Sequence, residues 1–107
     1  MDLDDDLTPA QLRALARRMA RWRILRILYM GRPIGANETI IHHALTRGDF
    51  DITMQGVRNE LEYLAGLELV RVSQGRTWLA EILPAGVDVV EYTTEAPAGI
   101  LRPDQQG

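Results

Sequence analysis

The stretch from Thr53 to Val72, TMQGVRNELEYLAGLELVRV, allows few architectures. Met54, Val57, Leu61 and Leu64 recur at helical spacing and make one apolar face. Gln55, Arg58, Asn59 and Glu62 form a second row on the other side. Thr53 is placed to cap the helix, because its hydroxyl can accept from a free first-turn N–H. Gly66 suits the left-handed residue that ends a helix, which sets the helix at about 53–65. From Leu69 the pattern changes to that of a strand. A short helix with a polar outer row, a glycine stop and an immediate strand predicts an α+β, mainly α, winged helix-turn-helix. That fold has three helices, a two-stranded wing, a short C-terminal helix and, here, an extended N-terminal helix.

The upstream sequence supplies the other helices. Thr8-Pro9-Ala10-Gln11 is a start signal, with Thr8 as cap, Pro9 at the first helical position and Gln11 able to close a capping box. Leu7 and Leu12 occupy the positions of a hydrophobic staple. The helix so begun runs to about Met30, but its apolar face changes partway. Leu12, Leu15, Ala16 and Met19 form one stripe, opposite Arg13, Arg17 and Arg21. After Trp22 the apolar centre passes to Ile24, Leu25 and Leu28, on the side the arginines held. One straight helix cannot bury both stripes in one small core. The segment 24–30 is therefore expected to face the core. Leu12, Leu15, Ala16, Met19 and Trp22 are then expected to face a second copy of the chain. The alternative is a kink or a break near Trp22, giving two helices in one monomer.

Gly31 to Ala36 is a turn cluster, Asn37 caps a second helix over about 38–47, and Gly48 ends it. Leu69–Ser73 and Thr77–Ile82 alternate as two strands joined by Gln74-Gly75, with Arg71 and Arg76 on or beside the tip. Pro84 opens a last helix to about Glu91. Three regions follow: an acidic, flexible N-terminus over 1–7, a domain over 8–91, and an extended or disordered tail over 92–107.

Charge is strongly segregated. Residues 1–9 hold four acids, residues 10–32 seven arginines and no acid, and residues 33–107 five arginines against eleven acids. All twelve basic residues are Arg, and the net charge is −3. The bulk charge argues against an ordinary nucleic-acid binder, which is basic overall; the arginine-rich helix argues for one. The absence of Cys excludes disulfides and thiolate metal sites. No stretch has the length and apolarity of a membrane span. With no bridge and no leader pattern, a bacterial cytoplasm is the expected location.

Several of these segments together resemble a known family. The runs ILRILYMGRPIGANETIIHHAL and ITMQGVRNELEYLAGLELVRV, the hairpin, LPAGVDVVEY and GILRP are similar to a small winged-helix family of Mu-like bacteriophages and prophages, loosely labelled arsenic-repressor-type regulators. The more telling pieces are Val57-Arg58-Asn59-Glu60-Leu61 with Leu64, Gly66 and Leu67, then Gly86-Val87-Asp88-Val89, and Gly99-Ile100 with Arg102-Pro103. The resemblance spans about 22–103 and implies a phage-encoded DNA-binding protein without a cofactor. Arsenic-repressor relatives sense metal through cysteines, so the label implies no metal sensing here.

The candidate DNA-binding residues are Thr53, Gln55, Arg58 and Asn59 on the third helix, with Arg71 and Arg76 on the wing. Arg can pair with guanine, and Gln or Asn with adenine, in the major groove. Glu60 and Glu62 follow at once, and a solvated polar face is the competing reading. The row Arg13, Arg17, Arg18 and Arg21 reads as a phosphate-tracking face, or else as a solvated helix face or a source of salt bridges to a partner's acidic surface. His42 and His43 are adjacent and cannot face one metal together, and no catalytic constellation is present, so enzymatic activity is not expected. Two functions remain open: a dimeric DNA-binding regulator, or a protein-interaction or assembly module that keeps the fold without a DNA face.

Overall fold

The computed structural model describes residues 7–103, so the acidic segment of the sequence reading lies almost wholly outside the described residues. Helix α1 spans Pro9–Met30 without a break. Its start is the expected capping box: Thr8 N–H donates to Gln11 Oε1 at 2.8 Å, and Gln11 N–H donates to Thr8 Oγ1 at 3.1 Å. A two-residue strand β1 (Ala36–Asn37) leads into α2 (Glu38–Arg47), capped by Asn37. Helix α3 (Met54–Gly66) is capped by Thr53, whose Oγ1 accepts from Gly56 N–H at 2.9 Å. Strands β2 (Val70–Gln74) and β3 (Trp78–Ile82) form the hairpin, and α4 (Pro84–Val90) follows.

The sheet has three strands in the order β1-β3-β2, all antiparallel, so β1 extends the two-stranded wing inward. Its alternation was too short to read in sequence. Gly35, just before β1, has φ +86° and lies directly against the Ala80 carbonyl, a close approach that a side chain would block.

The apolar face of each helix meets in one core. Ile24, Leu25 and Leu28 of α1 pack with Ile41 and Leu45 of α2 and Val57, Leu61 and Leu64 of α3; Val70, Ala80 and Val89 close it. The split face of α1 resolves as one continuous helix with two exposures. Leu12 is 46% exposed and Met19 41%, while Ile24, Leu25 and Leu28 are fully buried. Trp22 does not belong to the outer stripe. It is only 9% exposed, is part of the core, and meets Tyr92 edge-on at 6.1 Å. Trp22 stands about 60° around the axis from Met19 and about 60° from Leu25, on the boundary between the two stripes, and the Tyr92 ring packs against it there.

Gly66 is not the left-handed terminator; it is the last residue of α3. The left-handed residue lies two positions later, at Glu68 with φ 61°. Asp49 (φ 68°) and Tyr92 (φ 62°) hold the same place after α2 and α4. Each helix ends in the same paired hydrogen bonds: Phe50 N–H to the Leu45 carbonyl and Asp49 N–H to that of Thr46, then Leu69 to Leu64 with Glu68 to Ala65, then Thr93 to Asp88 with Tyr92 to Val89. This is the Schellman arrangement, built three times without glycine at its left-handed position.

The segment after Tyr92 has no regular structure up to Pro103, yet it is seated on the core rather than free. Ile100 is fully buried, and Arg102 donates from Nη1 to the carbonyls of Val89 and Thr94 at 2.8 and 2.9 Å. The low apolar content that suggested an extended or disordered tail hides one anchor of each kind, an isoleucine for the core and an arginine for stray carbonyls.

Candidate nucleic-acid interface

The outer row of α3 carries Gln55 and Asn59, both exposed. Gln55 Nε2 donates to Asn59 Oδ1 at 2.9 Å, an i, i+4 pair on one helix face. Gln55 Oε1 and Asn59 Nδ2 have no protein partner among the described residues, so the pair keeps an acceptor and donors available. Those are the atom types that meet adenine in a major groove.

Arg58 is not a free member of this row. Its Nε and Nη2 donate to the two oxygens of Glu38 at 2.5 and 2.8 Å, and its guanidinium lies 4.9 Å from the centre of the Trp78 ring. Glu38 Oε2 also accepts from the Trp78 backbone N–H at 2.7 Å. One carboxylate, 4% exposed, thus joins the start of α2, the middle of α3 and the first residue of β3, beside the turn of the wing. The Arg58 hydrogen bonds hold its carboxyl down at about 2; burial opposes this, and the Trp78 N–H reinforces it. Sequence analysis assigns Glu38 no pairing. The available signal was only a carboxylate directly after the Asn37 cap.

On the wing, Arg71 lies opposite Glu81 in the strand register and forms an ion pair with it. Arg76, at the turn, is exposed and has no protein partner among the described residues. The basic row of α1 separates into two uses. Arg18 Nε donates to the Ala98 carbonyl at 3.1 Å, and Leu101 N–H returns a bond to the Arg18 carbonyl. Arg21 donates from Nε to Glu60 at 2.6 Å and from Nη1 to the Gly99 carbonyl at 3.0 Å, with its guanidinium 3.7 Å from the Tyr63 ring centre. Glu60, which in sequence threatened to repel phosphates, is therefore neutralised inside the fold. Arg13 and Arg17 remain exposed.

Glu62 is exposed on the outer side of α3. His42 Nε2 lies 2.9 Å from the Ile52 carbonyl and His43 is exposed; among the described residues no group of three or more His, Cys, Asp or Glu could hold a metal ion. No helix among them is long and apolar enough to cross a membrane.

A capped helix pair, a polar outer row on its second helix and a hairpin fixed beside that row define a winged helix-turn-helix with an extended N-terminal helix. The fold is also that of a solved structure described as "Mechanism for regulation of DNA binding of Bordetella bronchiseptica BpsR by 6-hydroxynicotinic acid", at a TM-score of 0.56 and 22% identity over 86% of this chain and 70% of that one. No protein-family model matches the chain, and no curated protein matches it in sequence.

Proposed function

We propose that the chain binds duplex DNA through α3 and serves as a transcriptional regulator. The observation that carries this reading is the Gln55–Asn59 pair, exposed on a helix whose position relative to the wing is locked by Glu38. A reader of bases needs polar groups held rigidly at the depth of a groove. Thr53 sets the start of that helix, Gln55 and Asn59 read base edges, and Arg76 reaches the backbone beside them. Arg58 and Arg71 act within the fold, orienting α3 and bracing the wing. The solved structure of similar fold is that of a protein whose DNA binding is regulated, which favours the same class of task.

The finer setting follows the sequence resemblance: a regulator of a Mu-like phage or prophage, acting in the cytoplasm of the bacterial host. A homodimer joined along Leu12, Leu15, Ala16 and Met19 would bring two α3 helices to one duplex.

The test is fluorescence anisotropy with labelled fragments of the phage genome, at two salt concentrations, for the wild type and a Gln55→Ala/Asn59→Ala variant. The expected result is salt-dependent binding with sequence preference, and loss of about 1–3 kcal/mol of discrimination in the variant. Binding with identical preference in the variant would remove α3 as the reader. A second reading is favoured by one specific observation: Arg58 and Arg71 are both spent on carboxylates, which leaves the α3–wing face poor in free cations. On that reading the domain docks a protein, and the wild type binds no DNA even at low salt.

A further inference from the structure

The side of α1 that enters the core does not end where the core ends. Leu28, Ile24 and Ala20 are buried at successive turns, and the same row continues toward the N-terminus as Arg17 and Arg13. These two arginines therefore overhang the rest of the domain on its own side, not on the outer side with Leu12 and Met19. Beneath them lies an open groove of about 330 Å³, walled across from α1 by Phe50, Asp51, Thr53, Gly56 and Asn59. Arg18 and Arg21, their neighbours in sequence, are occupied by the carbonyls of Ala98 and Gly99. Arg13 and Arg17 have no protein partner among the described residues.

We propose that this groove receives the sugar–phosphate backbone of the duplex, with Arg13 and Arg17 as its phosphate contacts. The proposal rests on the DNA-binding reading above and extends it to a second element. Two guanidinium groups one turn apart, about 5–6 Å between their Cβ atoms, present a continuous cationic edge. Asn59 is shared: it belongs to the base-reading row and also lines the groove. A strand lying in the groove would thus flank the bases that α3 faces. Of the two carboxylates at the groove, Glu60 is paired with Arg21. Asp51 is exposed and partly offsets the arginines. The overhang explains why α1 continues beyond the core on this side with arginine rather than with apolar residues. Its cationic edge also supplies what the α3–wing face lacks.

The experiment is a salt titration of binding to a random-sequence duplex and to a preferred genomic fragment. It compares the wild type, Arg13→Gln/Arg17→Gln, Arg13→Lys/Arg17→Lys, and Arg23→Gln/Arg26→Gln, whose arginines are exposed on α1 but do not line the groove. Each lost phosphate contact lowers the slope of log affinity against log salt by about 0.9, so the first variant should lose about 1.8 per bound chain, equally on both duplexes. The lysine variant should keep most of the slope and the Arg23/Arg26 variant all of it. Asp51→Asn should tighten binding. Circular dichroism should show the wild-type helix content throughout. An unchanged slope in Arg13→Gln/Arg17→Gln, while Gln55→Ala/Asn59→Ala still loses preference, overturns the groove and leaves the DNA reading standing. Equal losses in Arg13→Gln/Arg17→Gln and Arg23→Gln/Arg26→Gln overturn it too, since charge anywhere on α1 would then suffice. A wild type that binds neither duplex at low salt overturns both.

Discussion

Arg58 grips Glu38 with two parallel hydrogen bonds, Nε to Oε1 at 2.5 Å and Nη2 to Oε2 at 2.8 Å, across two helices of the helix-turn-helix. The same Oε2 takes the first backbone N–H of β3 at 2.7 Å. The angle between α3 and the wing is therefore set by one charged group. A lysine at 58 could supply the charge but not the fork.

This relationship has a pH signature. The folded carboxyl of Glu38 titrates at about 2, against an ordinary value of 4.5. A depressed folded value contributes stability that is present above the ordinary value and is lost as pH falls through it toward the folded one. Wild-type urea midpoints should thus fall between about pH 5 and pH 2. Glu38→Gln should be less stable at neutral pH, and its curve should be flatter over that window. Parallel curves for the two proteins would refute the assignment.

Arg21 and Glu60 should behave as a unit. Removing the arginine leaves a carboxylate that is only 6% exposed without its partner. Arg21→Met should cost about 3 kcal/mol, and adding Glu60→Gln should recover part of it. Additive losses in chemical denaturation would show that the pair is not coupled.

The left-handed residue after α3 offers the opposite effect. Glu68 holds φ 61°, a region that costs a side-chain-bearing residue about 1–2 kcal/mol and glycine little. Glu68→Gly should raise stability by about 0.5–1 kcal/mol after the added freedom of the unfolded chain is subtracted. At about 4–8 °C per kcal/mol, thermal melts will resolve it. A lower melting temperature would mean that the side chain of Glu68 contributes more than its backbone costs.

The outer stripe of α1 is tested by mass. Leu12, Ala16 and Met19 are exposed in steps of four and three along one continuous helix. If a second copy covers them, Leu12→Glu/Met19→Glu should convert a dimer to a monomer in light scattering, with helix content retained. A wild type that already has monomer mass at micromolar concentration would exclude the pairing.

Much of the fold was legible because its signals are local. Thr8 with Gln11, Asn37 and Thr53 each announce a helix start within four residues, and the hairpin alternation is equally short-ranged. What escaped depends on distance along the chain. Arg18 meets Ala98 and Arg21 meets Gly99 across nearly the whole domain, so no spacing rule relates them. Nothing in the tail's composition shows that Ile100 is a core residue. The candidate site was legible as a helix face but not as individual roles. Gln55 and Asn59 stay outward, while Arg58 and Arg71 turn to carboxylates that only the tertiary fold brings within reach. Gly66 misled for a local reason: a glycine near a helix end attracts the terminator role, and here the chain runs two residues further before turning.

Gly99 lies against the hydroxyl end of Tyr63 of α3, where a Cβ would collide with the phenol oxygen, and its carbonyl is held by Arg21, which also holds Glu60 of α3. The end of the chain and the helix that faces outward thus share one fastening. Neither can swing open alone, so the two should lose hydrogen-exchange protection together, as one cooperative unit. A protease cut in the loop before Gly99 would then be felt on α3, some forty residues upstream in sequence.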